Sequence, residues 1–291
     1  MDLAALRIFK AVADHGGVGR AAASLHRVPS NVTTRVKQLE AELGTNLFVR
    51  EKRRLTLSAQ GKVLLDYAGQ LLRLSAEAQA ALCDGKPRGT LRIGSLESTA
   101  ATRLPPLLSR YHLTHPEVRI ELVTGTSAAL VAQVHARDIE AAFVAEPFSA
   151  AGLEMQSAFL EELVLIAPRS APAIRSAKDL GNRTVIAFAA GCSYRRRLEA
   201  WLGEGKAVPQ RFMEFQSYHA IIACVAAGCG IAIVPRSVIE GAAGRKEVSV
   251  TALPRIVSSA KTQLVWRPAH QSAALDAMKR QLKAYGRKPA A

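Results

Sequence analysis

The chain has 291 residues, 49% of them hydrophobic and 22% charged, and its 39 Lys and Arg against 24 Asp and Glu leave a formal net charge of +15. This is enough chain for roughly two or three compact units with cores of their own, and it is too apolar for a disordered protein. The basic excess calls for a polyanionic partner, and no apolar run is long enough for a bilayer span, since the longest, 220–235, is interrupted by Gly228 and Gly230.

Residues 2–16 read as the first helix. Asp2 is placed to cap it, Leu3, Leu6, Phe9, Val12 and Ala13 give it one apolar face, and His15-Gly16-Gly17 supplies a glycine stop. The stretch 18–40 then reads as two short helices with a breaker between them. Ala21, Ala22 and Leu25 make a small inner face on the first, while Val32, Val36, Leu39 and Leu43 recur at spacings of four, three and four on the second. Pro29 stops one helix just before the next, which Ser30 or Asn31 can cap. The outward face of the second helix carries Asn31, Thr33, Thr34, Arg35, Lys37 and Gln38. Short donors at a helix N-terminus, with cations beside them, suit the base edges and phosphates of a DNA major groove; a solvated αα-hairpin is the plainer alternative. Gly44 ends this helix. Two short alternating runs over 46–57 flank Arg50, Lys52, Arg53 and Arg54, a hairpin whose cationic tip is placed to meet phosphates.

Residues 1–60 resemble the winged helix-turn-helix of LysR-type transcriptional regulators. The likeness is carried by Leu6-x-x-Phe9, Ala21-Ala22-x-x-Leu25, Val32-Thr33, Leu39-Glu40-x-x-Leu43-Gly44, Leu47-Phe48-x-Arg50 and Leu57-Ser58-x-x-Gly61, with Pro29 a departure where many relatives have Gln. It implies double-stranded promoter or operator DNA as a partner, with Ser30, Asn31, Thr33, Thr34, Arg35, Lys37, Arg50, Arg53 and Arg54 as the contacting residues.

Ser58 caps the next helix, which runs to about residue 84 with Leu64, Ala68, Leu71, Ser75, Ala78 and Leu82 in a heptad stripe. Such a stripe packs either on its own domain or on a second chain, and the resemblance implies the dimerising linker helix of the family. Residues 85–89, Gly-Lys-Pro-Arg-Gly, have the composition of a hinge. Beyond them strands at 90–94, 118–123, 141–144, 163–167, 184–188, 230–235 and 262–266 alternate with helices at 104–112, 130–136, 195–202, 220–227 and 273–285. Alternation of this kind predicts parallel sheets covered by helices on both faces. The expected division is a DNA-binding domain over 1–58, a linker helix and hinge over 59–88, and an effector-binding domain over 89–291. Within the last, one lobe takes about 89–161 and 267–291 and an inserted lobe about 162–266. The fold class is thus α/β with an N-terminal all-α winged helix-turn-helix, and the resemblance implies a two-lobed, periplasmic-binding-protein-like (type 2) effector domain.

Four strand-to-helix junctions carry polar groups, around Glu97-Ser98-Thr99, Thr126-Ser127, Cys192-Ser193-Tyr194 and Ser217-Tyr218-His219. Each alone reads as a helix cap; together, at the mouth of such a fold, they read as an effector cleft formed by Ser98, Thr99, Thr126, Ser127, Ser193, Tyr194, Tyr218 and His219. Glu97, Tyr194 and Tyr218 suit a cationic amine, whereas backbone N–H groups and Arg195 suit an acid, and both options stay open. The wording around 191–196, 217–219 and 224–228 also resembles a narrower branch, the regulators of putrescine utilisation.

Other classes fit less well. The four cysteines, Cys83, Cys192, Cys224 and Cys229, form no CxxC pair or His cluster, so neither zinc nor a disulfide framework is expected. His219 and Cys224 lack an acid partner and an oxyanion motif, so the chain is expected not to be an enzyme and to need no cofactor. A redox sensor using Cys192 or Cys229 is a minor alternative. The N-terminal MDLAALRIFK lacks a secretory core, and a soluble cytoplasmic protein is expected, without a membrane partner. The resemblance implies a homodimer or homotetramer in contact with RNA polymerase, its spacing on DNA set by a small-molecule effector.

Overall fold

A computed structural model describes every residue except 52, 53, 83, 84, 269, 271 and 286–291. The chain forms two compact units, Met1–Asp84 and Gly85–Ala291. No helix among the described residues is long and apolar enough to cross a membrane.

The first unit runs α1 (Leu3–His15), α2 (Val18–Ser24), α3 (Pro29–Leu43), β1 (Phe48–Glu51), β2 (Arg54–Leu57) and α4 (Ala59–Ala81). Asp2 caps α1, its carboxylate accepting from the Ala5 N–H at 2.6 Å. Gly16 closes the helix at φ 62°, a left-handed conformation that side chains resist. The start of α3 differs from the sequence reading. Val28 is its N-cap and Pro29 its first helical residue, so neither Ser30 nor Asn31 caps it. Proline suits that position because its fixed φ is helical and its missing N–H would have no helical partner there. Val32, Val36 and Leu39 are buried as their spacing predicts, whereas Leu43 lies past the core and is exposed. The Glu40 carboxylate accepts from the N–H groups of Leu47 (2.7 Å) and Phe48 (3.2 Å), which fixes the entry to the hairpin. β1 and β2 pair antiparallel, Phe48 opposite Leu57 and Glu51 opposite Arg54.

Ser58 begins α4 as expected, its hydroxyl accepting from the Gly61 N–H at 2.9 Å and donating to the Asn46 carbonyl at 2.7 Å. The heptad stripe, however, divides between two faces. Ala68 is fully buried, and Leu64, Leu65 and Leu72 pack with it against Leu6, Phe9 and Leu39 of the same unit. The apolar side chains left outside are Val63 (59% exposed), Tyr67 (60%), Leu71 (38%) and Leu74 (47%). The helix is apolar on two adjacent faces, which a single stripe cannot represent.

The second unit runs β3 (Gly89–Ser95), α5 (Glu97–Thr102), α6 (Leu104–Thr114), β4 (Val118–Thr124), α7 (Ser127–His135), β5 (Ala141–Ala145) and β6 (Glu154–Pro168). It continues with β7 (Thr184–Phe188), α8 (Ser193–Glu204), β8 (Arg211–Phe215), α9 (Tyr218–Ala226), β9 (Ala232–Pro235) and α10 (Arg236–Glu240). β10 (Val248–Ala252), α11 (Arg255–Ser258), β11 (Ser259–Trp266) and α12 (Ala273–Tyr285) complete it.

The expectation of parallel sheets is corrected to a mixed one. The main sheet has the order β10-β6-β11-β5-β3-β4, with β9 also on β6. β3 is parallel to β4 and β5, and β7 to β8, but every pairing of β6 is antiparallel. The cause is β6 itself, a strand of 15 residues whose first half pairs with β11 and whose second half pairs with β10 and β9. Only its end, Leu163 to Ala167, is continuously buried, so only that end is conspicuous in the sequence.

Two lobes grow on this curled sheet. In one, Leu91, Ile93, Phe143 and Leu264 pack under α6 and α12, while Leu130, Val134 and Val144 pack under α7 on the other face. In the other, Leu163, Ile166, Val185, Ile186, Trp201, Ile222 and Val234 form a larger core with α8 and α9.

Candidate functional site

In the first unit the buried stripe of α3 orients its opposite face outward. Ser30, Asn31, Thr34 and Lys37 are exposed there, while Thr33 and Arg35 lie half-buried on the flanks. The Thr33 hydroxyl donates to the Pro29 carbonyl at 2.9 Å, and the Arg35 guanidinium reaches the Asp2 carboxylate at 3.5 Å. Asn31 accepts from Arg27 of the preceding turn at 3.3 Å. Arg50 and Arg54 are strand residues of the hairpin; Arg53, like Lys52, lies outside the described residues.

In the second unit the predicted ligand residues fall into two groups. The first meets where the two lobes join. Glu97, Ser98 and Thr99 open α5, a helix absent from the sequence reading because Glu-Ser-Thr-Ala-Ala-Thr has no apolar period. Tyr194 enters from α8, and Tyr218 and His219 from α9. Thr262 of β11 joins them; sequence reasoning passed over it, since a lone hydroxyl inside an apolar strand looks like core. The Tyr194 hydroxyl faces Ser98, Thr262 and the Glu161 carboxylate, and its burial pushes the phenol well above its usual range. Tyr218 stacks on Phe188 with ring centroids 5.0 Å apart and lies against the Cys192 thiol. Glu97 accepts from the backbone N–H of Tyr218, and its Oε1 is 3.8 Å from Nδ1 of His219.

The polar atoms of this group are conspicuous for what they lack. Glu97 Oε2, Ser98 Oγ, Thr99 Oγ1, Tyr194 OH and Thr262 Oγ1 are all buried without a hydrogen bond of normal geometry, Tyr194 OH having only a loose approach to Ser98 and Thr262. A buried polar atom in that condition costs about 1–3 kcal/mol, and native proteins tolerate few. Burial also raises the Glu97 carboxyl above its ordinary value, against the lowering pull of His219 and the Tyr218 N–H.

The second group is satisfied internally. Ser193 Oγ donates to the Ala145 carbonyl at 2.5 Å and lies 2.8 Å from Ser127 Oγ and 3.2 Å from the Pro147 carbonyl. Ser127 Oγ in turn accepts from the Ala145 N–H at 3.2 Å. Thr126 caps α7 by accepting from Ala129 N–H. Thr126, Ser127 and Ser193 therefore join the lobes in a seam apart from the unpaired atoms. A second seam lies at Glu161, whose carboxylate takes both Arg103 (2.6 and 3.1 Å) and Ser237 (3.1 Å). Arg195, a candidate anion partner, is bound instead to Glu199 at 2.8 Å and Glu214 at 2.6 Å. Among the described residues no cluster of His, Cys, Asp and Glu could hold a metal ion.

Comparison with known proteins finds relatives along most of the chain. Residues 3–62 match the family described as "Bacterial regulatory helix-turn-helix protein, lysR family", and residues 84–287 match "LysR substrate binding domain". The uncharacterized HTH-type transcriptional regulator YusT of Bacillus subtilis is 40% identical over 268 residues, 92% of this chain and 90% of its own. The HTH-type transcriptional regulator GltR of the same organism is 39% identical over 240 residues, covering 82% and 81%. Among solved structures, full-length CbnR complexed with its target DNA has a TM-score of 0.72 at 23% identity, covering 98% of this chain and 99% of that one, a likeness of fold.

Proposed function

This chain belongs to the LysR family of DNA-binding transcriptional regulators, and from that premise we propose how its own residues divide the work. It is a regulator and not an enzyme, with a helix-turn-helix segment and an effector-binding domain. The exposed face of α3 enters the major groove, with Ser30, Asn31 and Thr34 nearest the bases and Lys37 at the phosphates beside them. Arg50, Arg53 and Arg54 of the hairpin meet phosphates, and Thr33 and Arg35 brace the flanks. Val63, Tyr67, Leu71 and Leu74 pair the linker helices of two chains, giving a dimer that a further contact builds into a tetramer at the promoter in the cytoplasm, where RNA polymerase is a partner. The division is DNA reader over 1–58, linker over 59–88 and ligand domain over 89–291.

The ligand site is the cluster of Glu97, Ser98, Thr99, Tyr194, Thr262, Tyr218 and His219. One observation carries this reading: Tyr194 brings its buried hydroxyl to Ser98 and Thr262 where the lobes meet, and the neighbouring Glu97 Oε2 and Thr99 Oγ1 are buried without a partner. A ligand that supplies the missing bonds binds the closed arrangement better than any open one, and only such differential affinity can shift the lobes. The relatives named above carry no link to putrescine, so the narrower likeness gains nothing from them.

Selection of genomic DNA fragments by the full-length protein, repeated with Thr34→Ala and Lys37→Ala, tests the first half. Thr34→Ala should relax preference at one half-site position, while Lys37→Ala should lower affinity and the salt dependence for all fragments. Unaltered selection by Thr34→Ala would move base reading off this face.

A further inference from the structure

The sequence leaves the charge of the ligand open, and the positions of the charged groups decide it. We propose that the ligand carries a protonated amine, which pairs with the Glu97 carboxylate while its other polar groups meet the hydroxyls of Ser98, Thr99, Tyr194 and Thr262. The inference rests on reading that cluster as the ligand site.

The arginines that would hold an anion are already engaged. Arg195 is taken up by Glu199, Glu214 and the Phe188 carbonyl, and Arg103 by Glu161. Arg197 donates to the backbone carbonyls of Glu146 and Ile256. The free N–H groups that open α8, those of Tyr194 and Arg195, point at the Cys192 sulphur, and the Tyr218 N–H that opens α9 goes to Glu97. Arg103, Arg195 and Arg197 thus each have a partner within the chain, and the positive feature that remains is the uncapped start of α5, a helix of six residues.

The negative feature is only half met. Glu97 Oε2 is buried with no donor, while its sister oxygen has the Tyr218 N–H and His219 at 3.8 Å, a side chain 75% exposed and so largely in solvent. An ammonium group placed there brings up to three donors to a desolvated carboxylate, the strongest relief available to it. A ligand carboxylate would instead be set against a like charge in a partly buried site. Hydroxyls give or accept, so the four around it fit either the amine or the polar remainder of the molecule.

The experiment uses full-length protein with n-butylammonium chloride, sodium butyrate and 1-butanol as probes, followed by thermal shift and calorimetry. The amine should raise the melting temperature with dose and bind at least about tenfold more tightly than the other two. Glu97→Gln should lower amine affinity by about tenfold or more, and Ser98→Ala by less. Without ligand, Glu97→Gln should melt no lower than the parent, because the amide oxygen still accepts from Tyr218 N–H; a large loss would make Glu97 a structural partner and overturn the proposal. Binding of butyrate in place of the amine, abolished by Ser98→Ala, would keep the site and reject the charge assignment. Amine binding indifferent to both variants would reject the site and the charge together, and so would the failure of all three probes at tens of millimolar.

Discussion

The two sets of hydroxyls that meet between the lobes are alike in residue type, in burial and in their place at helix starts. Ser127 and Ser193 are fully buried and fully bonded, to each other and to the backbone of Ala145. The hydroxyls of Ser98 and Thr99 are as deeply buried and have no hydrogen-bond partner of normal geometry. The contrast separates two uses of the same chemistry: a hydroxyl bonded within the chain holds the lobes together, whereas one left unbonded raises the energy of the empty protein until something else arrives. A polar residue at a helix start is therefore poor evidence for a site, and unmet bonding capacity is much better evidence.

Mutation should pull the two sets in opposite directions. The largest effect belongs to Ser193→Ala, which deletes the hydroxyl shared by Ser127, Ala145 and Pro147 and should destabilise the protein by about 1–3 kcal/mol in denaturant unfolding. Equal stability would mean that the seam is ornamental and the contrast false. Thr262→Val removes an unpaired hydroxyl at nearly constant volume. It should leave the empty protein as stable or up to about 1 kcal/mol more so, while weakening the response to n-butylammonium several-fold. A clear loss of stability would show that Thr262 has a partner in solution.

A third, smaller effect sharpens the contrast through pH. Burial holds the folded-state pKa of Glu97 above its ordinary 4.5, opposed by His219 and the Tyr218 N–H. A raised carboxyl contributes most when protonated, below its unfolded value, and the contribution fades as pH rises through the folded one. The melting temperature of Glu97→Gln relative to the parent should therefore climb from pH 4 towards neutrality, and a flat difference would remove the desolvation. The least effect is expected at sulphur. Burial raises the Cys192 thiol, whereas Cys229 is exposed. Alkylation of the folded protein should label Cys229 first and spare Cys192, and rapid labelling of Cys192 would restore the redox alternative.

The elements that sequence reasoning read correctly are those whose signals are local. Asp2, Gly16 and Gly44 mark helix ends by their own chemistry, and Val32, Val36 and Leu39 report burial by their spacing alone. The elements it missed depend on distant partners. α5, β8 and α10 have no periodic pattern, and the first half of β6 becomes a strand only because β11 lies beside it. The same limit applies to the site. Ser98 and Ser193 look equivalent as letters, and what distinguishes them is the Ala145 carbonyl, which chain topology brings to one and not the other. The outward face of α4 is hidden from the sequence for a related reason: Leu64 and Val63 are equally apolar, and only the packed domain shows which of them is covered.

β6 has one further consequence. Its 15 residues begin beneath α12 and end in the core under α8 and α9, so both hydrophobic centres hold the same strand. Neither half can lose that strand and keep its own ladder. The lobes are therefore expected to melt as one cooperative block, with amide protons along β6 among the slowest to exchange. A molecule bound at their junction would then be felt as a single upward displacement of one transition.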